Sequence, residues 1–97
     1  MIQREGGRLL VSGRLTMDTI GTLFSEAMQP LEGKVWTIDL AQIEVADSAA
    51  VSMLLSWVRN AQRHEAKLTF VNVPDNLRSL ADLYGVAAAL PLNHSSQ

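Results

Sequence analysis

Ser48, Ser52 and Ser56 stand four residues apart, directly after Asp47. Hydroxyls at that spacing share one face of a helix. Two chemistries are open to them. A serine can act as a nucleophile if a base takes its proton, or it can form a small polar surface against another protein. The candidate bases are His64 and His94. On a common helix His64 lies roughly 24 Å from Ser48 at 1.5 Å per residue, and His94 belongs to the C-terminal tail. No hydroxyl has a base within reach, so we expect no catalytic residues. The chain has no Cys, which removes disulfides, thiolate nucleophiles and thiolate zinc sites together. Two His without a carboxylate cluster make no structural metal site. Gly6-Gly7 precedes the first strand rather than following it, so it is no phosphate loop. We expect no cofactor and no metal.

The elements that must position these serines can be read along the chain. Gly6-Gly7 marks a turn ahead of a short strand over 8–12, which Gly13 ends. Thr16 is a helix N-cap. Met17, Ile20, Phe24, Ala27 and Leu31 follow at three-and-four spacing on one face, and Pro30 ends the helix. Residues 34–40 form a nearly continuous apolar strand, as for a strand covered on both faces. Residues 42–45 continue it less regularly, with Ile43 and Val45 inward. A long helix runs from Ala49 to about His64, with Ser48 as its N-cap. Leu68 to Val73 is the next strand. A third helix spans 76–84, with Leu77, Leu80, Ala81 and Tyr84 on one face and Gly85 as its C′ residue. Residues 87–92 make a short apolar return. Strands alternating with helices imply βαβ units. We expect one α/β domain over 1–92, with a four- to five-stranded, mostly parallel sheet, three main helices and a frayed tail over 93–97.

Composition narrows the function. Hydrophobic residues are 47% of the 97 and charged residues 19%, the latter below the usual ~25%. Net charge is −2, so nothing points to nucleic acid or an anionic membrane surface. No stretch approaches the ~20 apolar residues of a membrane span. Met1 to Gly7 carry no apolar run and form no signal peptide. These features imply a soluble, cytoplasmic protein.

A helical-wheel projection separates two sides of the long helix. Ala50, Val51, Leu54, Trp57, Val58 and Ala61 converge as the core face. Ser48, Ser52, Ser56, Arg59 and Arg63 converge opposite, with Ala49 beside them and Met53 and Leu55 on the two edges. Exposed helix faces normally carry Glu, Lys and Gln, which form helix well. A column of Ser is not a propensity choice. It could be a plain solvated face, but small hydroxyl residues also let another backbone come close. We favour a docking face of Ser48, Ala49, Ser52, Leu55, Ser56, Arg59 and Arg63.

The run Thr37-Ile38-Asp39-Leu40, then Gln42-Ile43-Glu44-Val45-Ala46-Asp47-Ser48-Ala49-Ala50 and an apolar helix, resembles a STAS domain. The strand at 68–73 and the Leu-x-x-Leu helix ending at Tyr84-Gly85 agree with it. The family includes anti-sigma factor antagonists and the STAS subunits of Mla-type phospholipid ABC transporters. Kinase-switched antagonists carry Ser or Thr two residues after the Asp, followed by Gly. Here those positions are Ala49 and Ala50, and Ser48 is the only hydroxyl left for phosphorylation. The transporter branch keeps a hydroxyl directly after the Asp. The resemblance thus implies a non-catalytic cytoplasmic subunit that binds and supports an ABC transporter ATPase. Such a subunit lies at the inner membrane only through its complex and has no small-molecule substrate of its own. The alternative it implies is a free anti-sigma factor antagonist bound to a kinase-type anti-sigma factor.

The wheel also makes a stability prediction. Leu54→Ala, at the centre of the core face, should cost about 2–5 kcal/mol. Urea unfolding at constant pH measures it, and a cost near zero would place Leu54 outside the core.

Overall fold

The computed structural model describes residues 1–86 and residue 90. Among them the elements run β1 (Ile2–Glu5), β2 (Arg8–Leu15), α1 (Met17–Ala27), β3 (Val35–Ala46), α2 (Ser48–Arg63), β4 (Lys67–Val71) and α3 (Asp75–Leu83). The sheet has the order β1-β2-β3-β4. β1 is antiparallel to β2, while β2, β3 and β4 are parallel.

β1 is an addition to the expected pattern. Its four residues carry no apolar run, and pairing with β2 makes them a strand. The two-residue turn needs glycine for two reasons. Gly6 has φ 62°, a region that other residues enter only at a cost. A Cβ on Gly7 would lie 2.7 Å from the Val35 carbonyl oxygen.

β2 does not stop at Gly13 but continues to Leu15. Gly13 adopts φ 91°, at one of two register shifts between β2 and β3. At each shift β3 contributes one extra residue, so the pairing resumes in phase and ends with Leu15 beside Ala46. These bulges turn Val45 outward, leaving it 41% exposed instead of inward.

All three helices serve one face of the sheet, which corrects the expectation of two-sided burial. β2, β3 and β4 are consecutive in both chain and sheet, so both crossovers step the same way. Crossovers of the usual right hand then put α1 and α2 on the same side. Burial alternates accordingly. Leu9, Val11, Trp36, Ile38, Leu68 and Phe70 are buried against the helices. Leu10, Ser12, Thr37, Thr69 and Val71 are half-buried on the other face, and Val35 is 66% exposed. That open face carries a polar lock on Asp39. Its carboxylate accepts from the Arg8 guanidinium at 2.5 Å, the Ala41 N–H at 2.9 Å and the Asn72 amide at 3.1 Å. Burial opposes the charged form, but these three donors outweigh it and hold the carboxyl below its ordinary value.

The core face of α2 is as expected, with Ala50, Val51, Leu54, Trp57 and Ala61 buried and Val58 half-buried. Met53, expected at the edge of the polar stripe, is only 1% exposed, because α2 has neighbours on both flanks. The Trp57 indole N–H donates to the Ala27 carbonyl at 2.7 Å, and the buried Asn60 amide donates to the Met28 carbonyl at 2.8 Å. Side chains of α2 thus satisfy the free carbonyls at the end of α1, groups that a helix cannot satisfy itself.

The helix ends follow local chemistry. The Asp47 carboxylate, not Ser48, is the N-cap of α2 and accepts from the Ala49 N–H at 2.8 Å. It also accepts from the Met17 N–H at 3.1 Å, at the start of α1. After α3, Gly85 has φ 70°; its N–H donates to Asp82, and the Val86 N–H to Ala81, both at 3.0 Å. That is the Schellman pattern expected of Gly85. Of the apolar return over 87–92, only Leu90 is described, and it is buried. The rest of that segment and the tail over 93–97 lie outside the described residues.

Two predictions follow from the carboxylates. Asp47→Ala removes a cap from α2 and an acceptor from α1, and should cost about 1–3 kcal/mol, read from urea unfolding at pH 7. Asp39 is depressed in the folded state, so its contribution is present above the unfolded value of ~3.9. It is lost as pH falls through the folded value. Asp39→Asn should lower stability at pH 7 and flatten the decline of stability below about pH 4. An unchanged pH profile would remove Asp39 from the ledger of native interactions.

Candidate functional site

The candidate site is the outward face of α2, and the joint at its N-terminus decides what stands beside it. β2 and β3 end together, and the Asp47 N–H donates to the Leu15 carbonyl at 3.3 Å. The same residue's carboxylate then bridges the first turns of α1 and α2. The two helices therefore start side by side at the C-terminal edge of the sheet. α3 packs on the other flank of α2.

The seven expected residues fall into two neighbouring depressions along α2. Ser48, Ala49, Ser52 and Leu55 line the first, of about 430 Å³, together with Met17, Ile20, Val51, Tyr84 and Val86. Ser56, Arg59 and Arg63 line the second, of about 560 Å³, together with Phe24, Met28 and Gln62. Ser52, Arg59 and Arg63 are exposed, while Ser48, Ala49, Leu55 and Ser56 are half-buried. The serine column thus lies along a shallow furrow, with Ser52 exposed in it and Ser48 and Ser56 half-buried.

Its rim was not anticipated. Met17 and Phe24 belong to the apolar face read for α1 and Tyr84 to the face read for α3, yet they are 73%, 43% and 53% exposed. The apolar stripe of α1 is wider than the area the sheet can cover. Its buried side centres on Ile20, Leu23 and Ala27, which leaves Met17 and Phe24 at the margin facing α2. Tyr84 is the C-cap of α3, past the part of that helix held by Leu77 and Ala81. The available signal was an apolar stripe too broad for helices packed on one sheet face.

The described histidine lies away from the serines. His64 is the C-cap of α2, at the opposite end from Ser48. Its Nδ1 lies 2.8 Å from the Asn60 carbonyl, and its ring centroid lies 5.5 Å from that of Trp36. His94 lies outside the described residues. Ser48 occupies the first turn of α2, where backbone N–H groups have no partner within the helix. Among the described residues no helix is long and apolar enough to cross a membrane.

Three comparisons bear on this geometry. A family model described as "Mlab, STAS domain" matches residues 1–92. The intermembrane phospholipid transport system binding protein MlaB of Escherichia coli K12 is 28% identical over 85 residues, 88% of this chain and 87% of that protein. The Shigella flexneri protein of the same name matches equally. Among solved structures, the anti-sigma factor antagonist SpoIIAA in its unphosphorylated form superposes with a TM-score of 0.67 at 14% identity, covering 99% of this chain and 86% of that one. An anti-sigma factor antagonist from Mycobacterium paratuberculosis gives 0.61 at 20% identity, covering 98% and 84%. With a one-faced mixed sheet, an Asp47-capped helix behind β3 and a family match over 92 residues, this chain belongs to the STAS domain family.

Proposed function

We propose that the chain is a non-catalytic STAS subunit that binds and supports the ATPase of an ABC-type phospholipid transporter. The observation that carries this reading is the similarity to the MlaB proteins, which extends over nearly the whole of both chains. Those relatives are described as binding proteins of an intermembrane phospholipid transport system. The furrow on α2 supports the same reading. It offers a floor of small hydroxyl residues rimmed by exposed apolar side chains, which suits a protein partner that comes close to the helix backbone. In this role the chain works on the cytoplasmic side of the inner membrane and meets the membrane only through its complex.

The reading as an anti-sigma factor antagonist draws on structural likeness at 14% and 20% identity, which extends to the fold alone. Ala49 and Ala50 also stand where the resemblance to kinase-switched antagonists calls for a phosphoacceptor and a glycine. Ser48 is left as the hydroxyl nearest that position, and phosphate there would add about −1.5 to −2 charge at the furrow's end.

Pull-down with an ABC-type transporter ATPase from the same organism tests the role directly. A stable complex is the expected outcome, and capture of a kinase-like anti-sigma factor instead would overturn it. Ser52→Arg, which fills the furrow without touching the core, should weaken ATPase binding by about tenfold or more, or ~1.4 kcal/mol. Ser48→Asp should act in the same direction. An unchanged affinity at an unchanged melting temperature would take this face out of the interface.

A further inference from the structure

The two depressions on α2 share a property that the composition of the chain does not predict. Acidic residues outnumber basic ones by ten to eight, yet among the described residues no Asp or Glu lines either depression. Asp47, next to the first, has its carboxylate turned onto two backbone N–H groups. The charges that do line the furrow are Arg59 and Arg63. They are exposed and one helical turn apart, on the same face. Among the described residues the ion pair formed is Arg8 with Asp39, on the opposite face of the sheet. Arg59 and Arg63 therefore meet the partner with their charges uncompensated, beside the apolar surface of Phe24 and Met28.

We infer that the furrow takes an acidic, apolar-anchored segment of the partner protein. An apolar side chain of that segment lies in the depression between Met17 and Tyr84, over Ser48 and Ser52. Its carboxylates lie against Arg59 and Arg63, at the other end of α2. This inference rests on the reading of α2 as the partner face and adds the chemistry of what it binds. Guanidinium groups pair with carboxylates through two parallel hydrogen bonds, so they set register as well as affinity. The Ser floor contributes closeness, and the arginines contribute direction along the helix. An anionic lipid surface is the weaker match, because the arginines border a concave, partly apolar trough.

The test compares affinities of the intact chain and its Arg59→Glu/Arg63→Glu variant for the ABC ATPase. Each is measured at about 0.05 and 0.5 M NaCl, where screening lengths differ several-fold. Arg59→Gln/Arg63→Gln provides a neutral step, and melting temperatures confirm that all forms are folded. The intact chain should bind more weakly at high salt. The Glu variant should lose about tenfold or more in affinity at low salt, and the Gln variant should fall between. Binding of both variants like the intact chain, with Ser52→Arg still defective, would overturn the acidic segment and leave the partner face standing. Failure of the intact chain to bind the ATPase at all would overturn both. Arginine-dependent binding to vesicles of phosphatidylglycerol, with ATPase affinity unaffected by the variants, would assign these charges to lipid and also overturn the inference.

Discussion

The Asp47 carboxylate bridges the first turns of two helices, and much of the molecule's geometry follows from that bridge. Each helix begins with backbone N–H groups that have no partner within the helix. One Asp47 oxygen takes the Ala49 N–H of α2 and the other takes the Met17 N–H of α1. Its own N–H is held by the end of β2. Two strand ends and two helix starts are thereby gathered at one residue. A negative charge there also complements the positive ends of both helix dipoles. At the far end the link is made in the other direction, as Trp57 and Asn60 of α2 satisfy the last carbonyls of α1. The two helices are thus joined to each other at both ends.

The single-sided sheet places that furrow outward. Because both parallel crossovers step the same way across β2, β3 and β4, the helices crowd one face. α2, between α1 and α3, loses solvent on both flanks. It can bury Met53 and Asn60 as well as its apolar stripe, and what remains accessible is a narrow strip of Ser and Arg. The apolar margins of its neighbours, Met17, Phe24 and Tyr84, then have no sheet left to cover. They become the rim of the strip. The other face of the sheet is left to a polar arrangement around Asp39, which ties β2, the bulged part of β3 and the end of β4 together.

The apolar content of the chain, 47% of its residues, has two homes in this arrangement. Part of it is the buried set on the helix side of the sheet. The rest is the rim of the furrow and exposed strand positions such as Val35. It does not come from strands covered on both faces, since Val35 and Val45 show that the run in β3 is covered on one.

Local chemistry by itself determined the helices, the strands that alternate with them, the Thr16 start of α1, the Gly85 end of α3 and the outward direction of Ser52, Arg59 and Arg63. Each of these depends on residues within a turn or two along the chain: periodicity of apolar side chains, capping groups and glycine at positive φ. Tertiary structure alone decided the rest. β1 exists because β2 offers it an edge, and Gly13 continues a strand because a bulge absorbs it. Asp47 joins α2 to α1 as well as capping it, because α1 begins within reach of its second carboxylate oxygen. Met17, Phe24 and Tyr84 leave the core because helices stacked on one sheet face cannot cover every apolar position they carry. A wheel projection assigns a direction to each side chain, but only the neighbouring elements determine which directions are filled.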